Sequence, residues 1–370
     1  MTTARPPFRA DHVGSLLRPP EVKQARDDFK NKKLSGEKLK EIEDRHIRKA
    51  IAMQEAAGLQ AVTDGEFRRA FWHVDFLTGF DGIVATQGQY ALKFHGEGGA
   101  ESETRSMMVV KDKVRRTKKI FVEDFSFVKR NTKRTAKLCV PAPTYLHMRG
   151  GRKVIDAKAY PDLDEFWADI TRAYREEIRD LAAAGCSYLQ IDDVSFACLC
   201  DESLRAPVRR DGEDPARLPS KYVQVINSLL EGRPASLAVT MHTCRGNHAS
   251  MWMAEGGYDA VAEAVFSETK VDGFFLEYDT ERAGGFEPLR FVPRNKKVVL
   301  GLISTKQPQL EDKTLLKKRI EAAARFVPLE NLCLSPQCGF ASSETGNKVT
   351  EDDQRRKLEL VVEVAREVWG

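Results

Sequence analysis

Short apolar runs of strand length alternate along this chain with longer stretches in which apolar positions recur at helical spacing. The segment from Ser35 to Gly58 is of the second kind, with charge on one face, Ile42, Ile47, Ile51 and Met53 on others, and a stop at Ala56-Ala57-Gly58. LQAVTDGE (59–66) follows as a strand that delivers Asp64 and Glu66 at its carboxyl end. The arrangement returns at 164–185, where the amphipathic DEFWADITRAYREEIRDLAAAG leads into CSYLQIDD. It returns again as SLAVTMHT, as VDGFFLEYD, as KKVVLGLIS and, after a helix around Leu315 to Phe326, as ENLCLSP. With HVGSLL near the start and KLCVPAP at 137–143, the candidate strands number eight. Strands alternating with helices pair in parallel, so the pattern predicts an α/β fold, a (β/α)8 TIM barrel, as one domain over 1–370, with a doubly wound open sheet as the rival. Residues 85–137 break the alternation and carry the basic stretches KDKVRRTKK and KRNTKRTAK. They read as an insertion after the second strand, a β-hairpin, whose charge run is a solvated face rather than a surface for phosphate or polyglutamate.

Composition narrows the setting. With 42% hydrophobic and 31% charged residues in 370, the chain can bury a large core. A net charge of +4, from basic residues mostly interleaved with acids, argues against a nucleic-acid partner. The N-terminal MTTARPPFRADHVGS lacks the apolar core of a signal peptide, and no later run approaches a membrane span, so a cytoplasmic protein without a membrane partner is expected. Seven scattered cysteines, in such a reducing compartment, point to buried thiols, metal ligands or catalysis rather than a disulfide framework. The oligomeric state stays open, a homo-oligomer included.

If the strands close into a barrel, their carboxyl ends carry His12 and Ser15, Asp64 and Glu66, Asp192 and Asp193, His242 and Cys244, Glu277 and Asp279, Ser304 to Lys306, and Cys338. Active sites of such barrels sit at this face. His242 and Cys244, two residues apart in one run, point to the same side of a strand, where an imidazole and a thiol converge. His242, Cys244, Glu277 and Cys338 offer nitrogen, thiolate and carboxylate ligands of the kind zinc takes in tetrahedral geometry, and thiolates disfavour magnesium and calcium. Taken alone, the His-x-Cys pair equally fits a core histidine beside a buried cysteine. Cys338 lies just past an apolar strand, where Gly339 permits close backbone approach.

The ordered motifs HVGSLLRP, TDGEFRR, LQIDD, MHTC, FLEYD and SPQCGF resemble, over nearly the whole chain, the catalytic barrel of the cobalamin-independent methionine synthases and their single-barrel relatives. The resemblance implies a catalytic Zn2+ held by His242, Cys244, Glu277 and Cys338. It also implies a homocysteine site that uses Gly14 and Ser15, Glu66 and Asp192, with His12 grouped among the substrate-binding residues. A free thiol has a pKa of about 8.5, and coordination to zinc deprotonates it and holds the sulfur for in-line attack on an alkyl group. Glu277 would be the exchangeable ligand that yields to the incoming thiol. Glu66 and Asp192 would hold the substrate amino group, while Ser15 and backbone amides take its carboxylate.

Three positions depart from the methionine synthase pattern, all on the methyl-donor side. The pteridine-stacking tryptophan falls on Met148, a folate-contacting glutamate on Cys198, and the proton-donating histidine on Lys306, which is thereby the candidate catalytic group beside Asp192. Methionine cannot reproduce aromatic stacking, nor a thiol the hydrogen bonds of a carboxylate. The expected function is therefore zinc-dependent methylation of a small thiol, homocysteine giving methionine, with the donor open between methyl-tetrahydrofolate and a methyl-corrinoid. A zinc-dependent alkyl or epoxide:thiol transferase and a non-catalytic zinc-binding barrel are the alternatives. Retained amino-acid-binding carboxylates favour homocysteine over a sulfonate thiol, which calls for cationic partners.

Overall fold

The strands of the computed structural model, which describes residues 5–370, are β1 (Ala61–Val62), β2 (Asp81–His95), β3 (Glu101–Arg115), β4 (Thr135–Pro141), β5 (Tyr188–Asp193), β6 (Ala238–Thr243), β7 (Gly273–Glu277), β8 (Lys297–Ile303) and β9 (Leu332–Pro336). Residues 1–4 of the stretch considered as a leader lie outside the described residues. Seven strands form one parallel sheet in the order β1-β4-β5-β6-β7-β8-β9. The order never reverses, so the sheet winds one way and curls, whereas a doubly wound sheet reverses at a switch point.

The run HVGSLL, expected as the first strand, is not a regular strand. Its segment still fills the eighth place. Ala10 bridges Leu334 of β9 in parallel, and on the other side Leu16 N–H donates to Gly65 O at 3.0 Å while Thr63 Oγ1 donates to Gly14 O at 2.6 Å. Gly14, at φ 139, turns the chain between these two sets of bonds, where an added Cβ would stand 2.6 Å from Cys139 Sγ.

Side chains alternate along each strand, and register decides which of them share the interior. Phe8, Val13, Ala61, Tyr188, Phe275, Val299 and Cys333 form a buried cluster of their own, separate from the larger core between sheet and helices. Beside that layer Lys137, fully buried, is held by Asp11 Oδ1 at 3.2 Å and lies over the ring of Tyr188, whose hydroxyl donates to Asp11 Oδ2 at 2.8 Å. Two residues further on come Cys139 opposite Gln190, then Asp192 opposite His242. Inward polar side chains therefore collect toward the carboxyl ends.

The helices cover the outer face. Gly36–Ala56 starts at Ser35, whose hydroxyl accepts from Lys38 N–H, and Leu163–Ala183 starts at Asp162 in the same manner. Glu351–Trp369 opens with a reciprocal pair between Thr350 and Asp353. Among the described residues, no helix is long and apolar enough to cross a membrane.

Between β1 and β4, strands β2 and β3 pair antiparallel, from Asp81 with Arg115 to His95 with Glu101. This ribbon begins before the expected boundary at 85 and ends well before 137, because the helix Val122–Arg130 and the start of β4 at Thr135 belong to the regular α/β alternation. Its basic run is partly engaged: Arg116 Nε donates to Glu177 Oε2 and its Nη2 to Asp180 Oδ2, both at 2.7 Å, while Lys111, Arg115 and Lys119 are exposed.

Candidate active site

The carboxyl ends of the strands open into a cavity. Its wall includes Ser15, Glu66, Asp192, His242, Cys244 and Cys338. His242 and Cys244 reach it from the end of β6, and Cys338 from the turn after β9. One ligand atom from each of these three lies within 4.8 Å of the others, and the two sulfurs are 3.4 Å apart. Both ring nitrogens of His242 are buried without a hydrogen-bond partner among the described residues. Two thiolates at about 2.3 Å from a common tetrahedral centre would lie roughly 3.7 Å from each other, so a zinc ion fits this donor set.

Electrostatics set the three side chains apart from one another. The hydrogen bond from the Cys244 thiol holds Cys338 well below the ordinary thiol range, against burial and with help from His242. The same bond, together with burial, pushes Cys244 well up. Burial would lower His242, but Cys338, Asp192 and Glu277 together raise it.

Glu277, at the end of β7, does not join the group of three. Its Oε2 accepts from Arg245 N–H at 2.8 Å, and Oε1 lies 3.4 Å from Lys306 Nζ and 3.6 Å from Arg282 Nη2. Against burial, Lys306 and Arg245 keep its pKa below the usual glutamate value. Burial would lower Lys306, but Glu277 and Asp279 raise it. Neither Lys306 nor Glu277 is part of the cavity wall, and Lys306 is bound to the would-be ligand rather than presented to the opening.

A second group comprises Glu66, Cys139 and Asp192, again within 4.8 Å of one another. Glu66 has φ 62, a conformation a non-glycine residue rarely takes. It is held there by Asp64, which accepts from its N–H at 2.9 Å, and by Arg18, which donates to its carbonyl at 2.9 Å. Oε1 faces Arg69 at 3.2 Å, whereas Oε2 is buried with no partner among the described residues. Burial lifts the pKa of Glu66 to about 7 and that of Asp192 to about 6, the latter despite His242 and Gln190. Two buried carboxyls sharing one opening suit a ligand that brings a positive charge.

Gly339 lets Ser15 into the wall, since a Cβ there would fall 1.9 Å from Ser15 Oγ. His12 and Gly14 do not line the cavity. The His12 ring turns inward, with Nε2 3.3 Å from Ala61 O, and burial and Lys137 lower its pKa to about 4. Gly14 contributes through the backbone turn described above.

Sequence reasoning missed Cys139 and the aromatic side of the cavity. Cys139 was within reach, because i, i+2 spacing puts it on the inward face with Lys137. The aromatic side was not. Trp72, His73 and Tyr145 come from loops and a short helix, and Leu92, Phe94, Thr104 and Ser106 from the β2–β3 ribbon, which thus closes one side of the cavity.

The profile of the family described as "Cobalamin-independent synthase, Catalytic domain" matches residues 8–367. The chain is 44% identical to the uncharacterized protein YxjH of Bacillus subtilis, over 98% of this chain and 95% of that one. It superposes on a crystal structure from Listeria monocytogenes, provisionally described as a vitamin-B12 independent methionine synthase, with TM-score 0.77 and 35% identity over the whole of both chains. A 5-methyltetrahydropteroyltriglutamate–homocysteine methyltransferase of Thermotoga maritima is 22% identical over 90% of this chain, which spans 42% of that longer protein. The chain therefore belongs to the family of cobalamin-independent synthase catalytic domains and is a methionine-synthase-like methyltransferase.

Proposed function

We propose that the protein methylates homocysteine to methionine with the help of a bound zinc ion. The observation that carries this reading is the meeting, in one cavity, of the His242, Cys244 and Cys338 ligand atoms with the Glu66 and Asp192 carboxyls. The first set suits a metal that accepts thiolate. The second suits the ammonium group of an amino-acid thiol. The Thermotoga relative, by its name, is a homocysteine methyltransferase, which supports the same pairing.

His242, Cys244 and Cys338 would hold the zinc ion, with Glu277 as fourth ligand once its carboxylate turns from Arg245 and Lys306. Bound there, zinc supplies the lowered pKa that makes a substrate thiol nucleophilic at neutral pH. The remaining work falls to the protein. Glu66 and Asp192 bind and orient the amino group, Ser15 and the backbone beside it bind the carboxylate, and the β2–β3 ribbon with its apolar side chains limits water around the reacting sulfur. Lys306 holds Glu277 ionised and supplies a positive charge next to the ligand group. Since the retained carboxylates favour an amino-acid thiol, they also weigh against a sulfonate-thiol alkyl or epoxide transferase. A metal site that served structure alone would need no open cavity beside it.

The test is mass spectrometric detection of methionine after the zinc-loaded protein is incubated with homocysteine and either methyl-tetrahydrofolate or methylcobalamin. Zinc-dependent methionine from one donor is expected, and Cys338→Ser should lose bound zinc and product together. Absence of product with both donors, or a fully metallated and active Cys338→Ser variant, overturns the reading.

A further inference from the structure

One buried polar group in the cavity is left unused by the thiol half of the reaction. His73 is 8% exposed, lines the cavity, and finds no hydrogen-bond partner for Nδ1 among the described residues. Its ring is fixed, with centroids 4.8 Å from Trp72 and 4.3 Å from Tyr145. The loop itself is pinned: Trp72 N–H donates to Ser342 O at 2.9 Å, and Asp75 Oδ2 accepts from Ala70 and Phe71. A buried imidazole nitrogen without a partner carries a desolvation cost that a ligand atom would relieve.

The positions that the family resemblance assigns to the donor cannot supply polar recognition. Met148 and Cys198 line a second cavity that shares Leu92 and Arg149 with the first, and they bring a thioether and a thiol. Arg149 donates to the carbonyls of Thr104 and Ser106 and faces the same space. Its positive charge disfavours a cationic donor beside it, and it adds to burial in lowering the pKa of His73 to about 3, so the imidazole is uncharged. Aromatic faces at Trp72 and Tyr145 suit a flat ring system.

Resting on the methyltransferase reading above, we propose that His73 determines donor specificity: its Nδ1 hydrogen-bonds an uncharged polar atom of a flat, non-cationic ring system, the part of the donor left behind after transfer, packed against Trp72 and Tyr145. The test is calorimetric titration of the zinc-loaded full chain with 5-methyl-tetrahydrofolate and, separately, with trimethylsulfonium as a cationic probe. Saturable pterin binding to the wild type is expected, about tenfold or more weaker in His73→Ala, and largely restored in His73→Asn, which keeps a polar atom near the position of Nδ1. Bound zinc and homocysteine affinity should be equal in all three proteins. Pterin binding that ignores His73→Ala, binding of trimethylsulfonium in place of the pterin, absence of pterin binding to the wild type, or a folded His73→Asn that behaves like alanine overturns the inference. Wild-type alkylation of homocysteine by iodomethane separates the two readings, because it forms the carbon–sulfur bond and releases iodide without any carrier ring. Zinc-dependent alkylation without His73-dependent pterin binding overturns this inference alone, whereas loss of that alkylation removes the methyltransferase reading as well.

Discussion

Glu66 is one side chain held in a costly state beside the cavity. It takes a left-handed backbone conformation, one carboxyl oxygen is buried without a partner among the described residues, and burial lifts its pKa to about 7 from 4.5. Because the folded pKa lies above the unfolded one, the folded state binds the extra proton between about 4.5 and about 7. Its contribution to stability is then fully present below that window and is lost as pH rises through it. Asp192, raised to about 6 from 3.8, acts in the same direction. Urea denaturation of the protein without bound substrate should therefore show stability falling from pH 4.5 to 7, and Glu66→Gln, which stays neutral, should flatten the part of the slope due to this group. An unchanged slope in the variant would place the proton elsewhere. Homocysteine binding should run the opposite way and tighten over the same range, since an ammonium group prefers ionised carboxylates.

At the level of elements, the β2–β3 ribbon brings Leu92 and Phe94 to the cavity, yet its pairing lies outside the main sheet. It needs anchors elsewhere. Glu177, 1% exposed on the helix Leu163–Ala183, accepts from Arg116 Nε and from the backbone N–H of Ile120 and Phe121, just past β3. Removing the carboxylate strands three donors at once, so Glu177→Ala should cost about 3 kcal/mol in chemical denaturation. A loss below about 1 kcal/mol would show that the ribbon is held by its apolar contacts alone. This element also marks the limit of what the sequence reveals. Alternation identified seven of the sheet strands, and the i, i+2 rule put His242 and Cys244 on one side, because both depend on local periodicity. The same rule could not say that HVGSLL would close the barrel as irregular chain, where Gly14 turns between two hydrogen-bonding neighbours. Nor could it show that a ribbon between β1 and β4 would bring Phe94 to the cavity that His73 and Tyr145 also line, an arrangement made only by packing across the fold.

For the whole molecule, a metal ion held as proposed by His242, Cys244 and Cys338 would tie together distant parts of the sheet. His242 and Cys244 end β6, Cys338 follows β9, and β7 and β8 lie between them. The unfolded chain separates Cys244 from Cys338 by 94 residues, so an ion that needs both at once binds the folded state far better. Such binding stabilises by RT ln(1 + [L]/Kd), about 4 kcal/mol when free zinc is 1,000 times Kd. Stripping zinc with a chelator should accordingly lower Tm by several degrees, and restoring zinc should recover it. Cys338→Ser should begin near the lower Tm and respond to neither treatment. If a protein containing stoichiometric zinc kept its Tm after the metal was removed, the three residues would not be its ligands. The tie would also bear on the proposed function, because β5 pairs with β6 and Asp192 at the end of β5 lies directly opposite His242. Loss of the ion should loosen the amino-acid pocket too, and homocysteine should then bind the stripped protein more weakly even through its ammonium group.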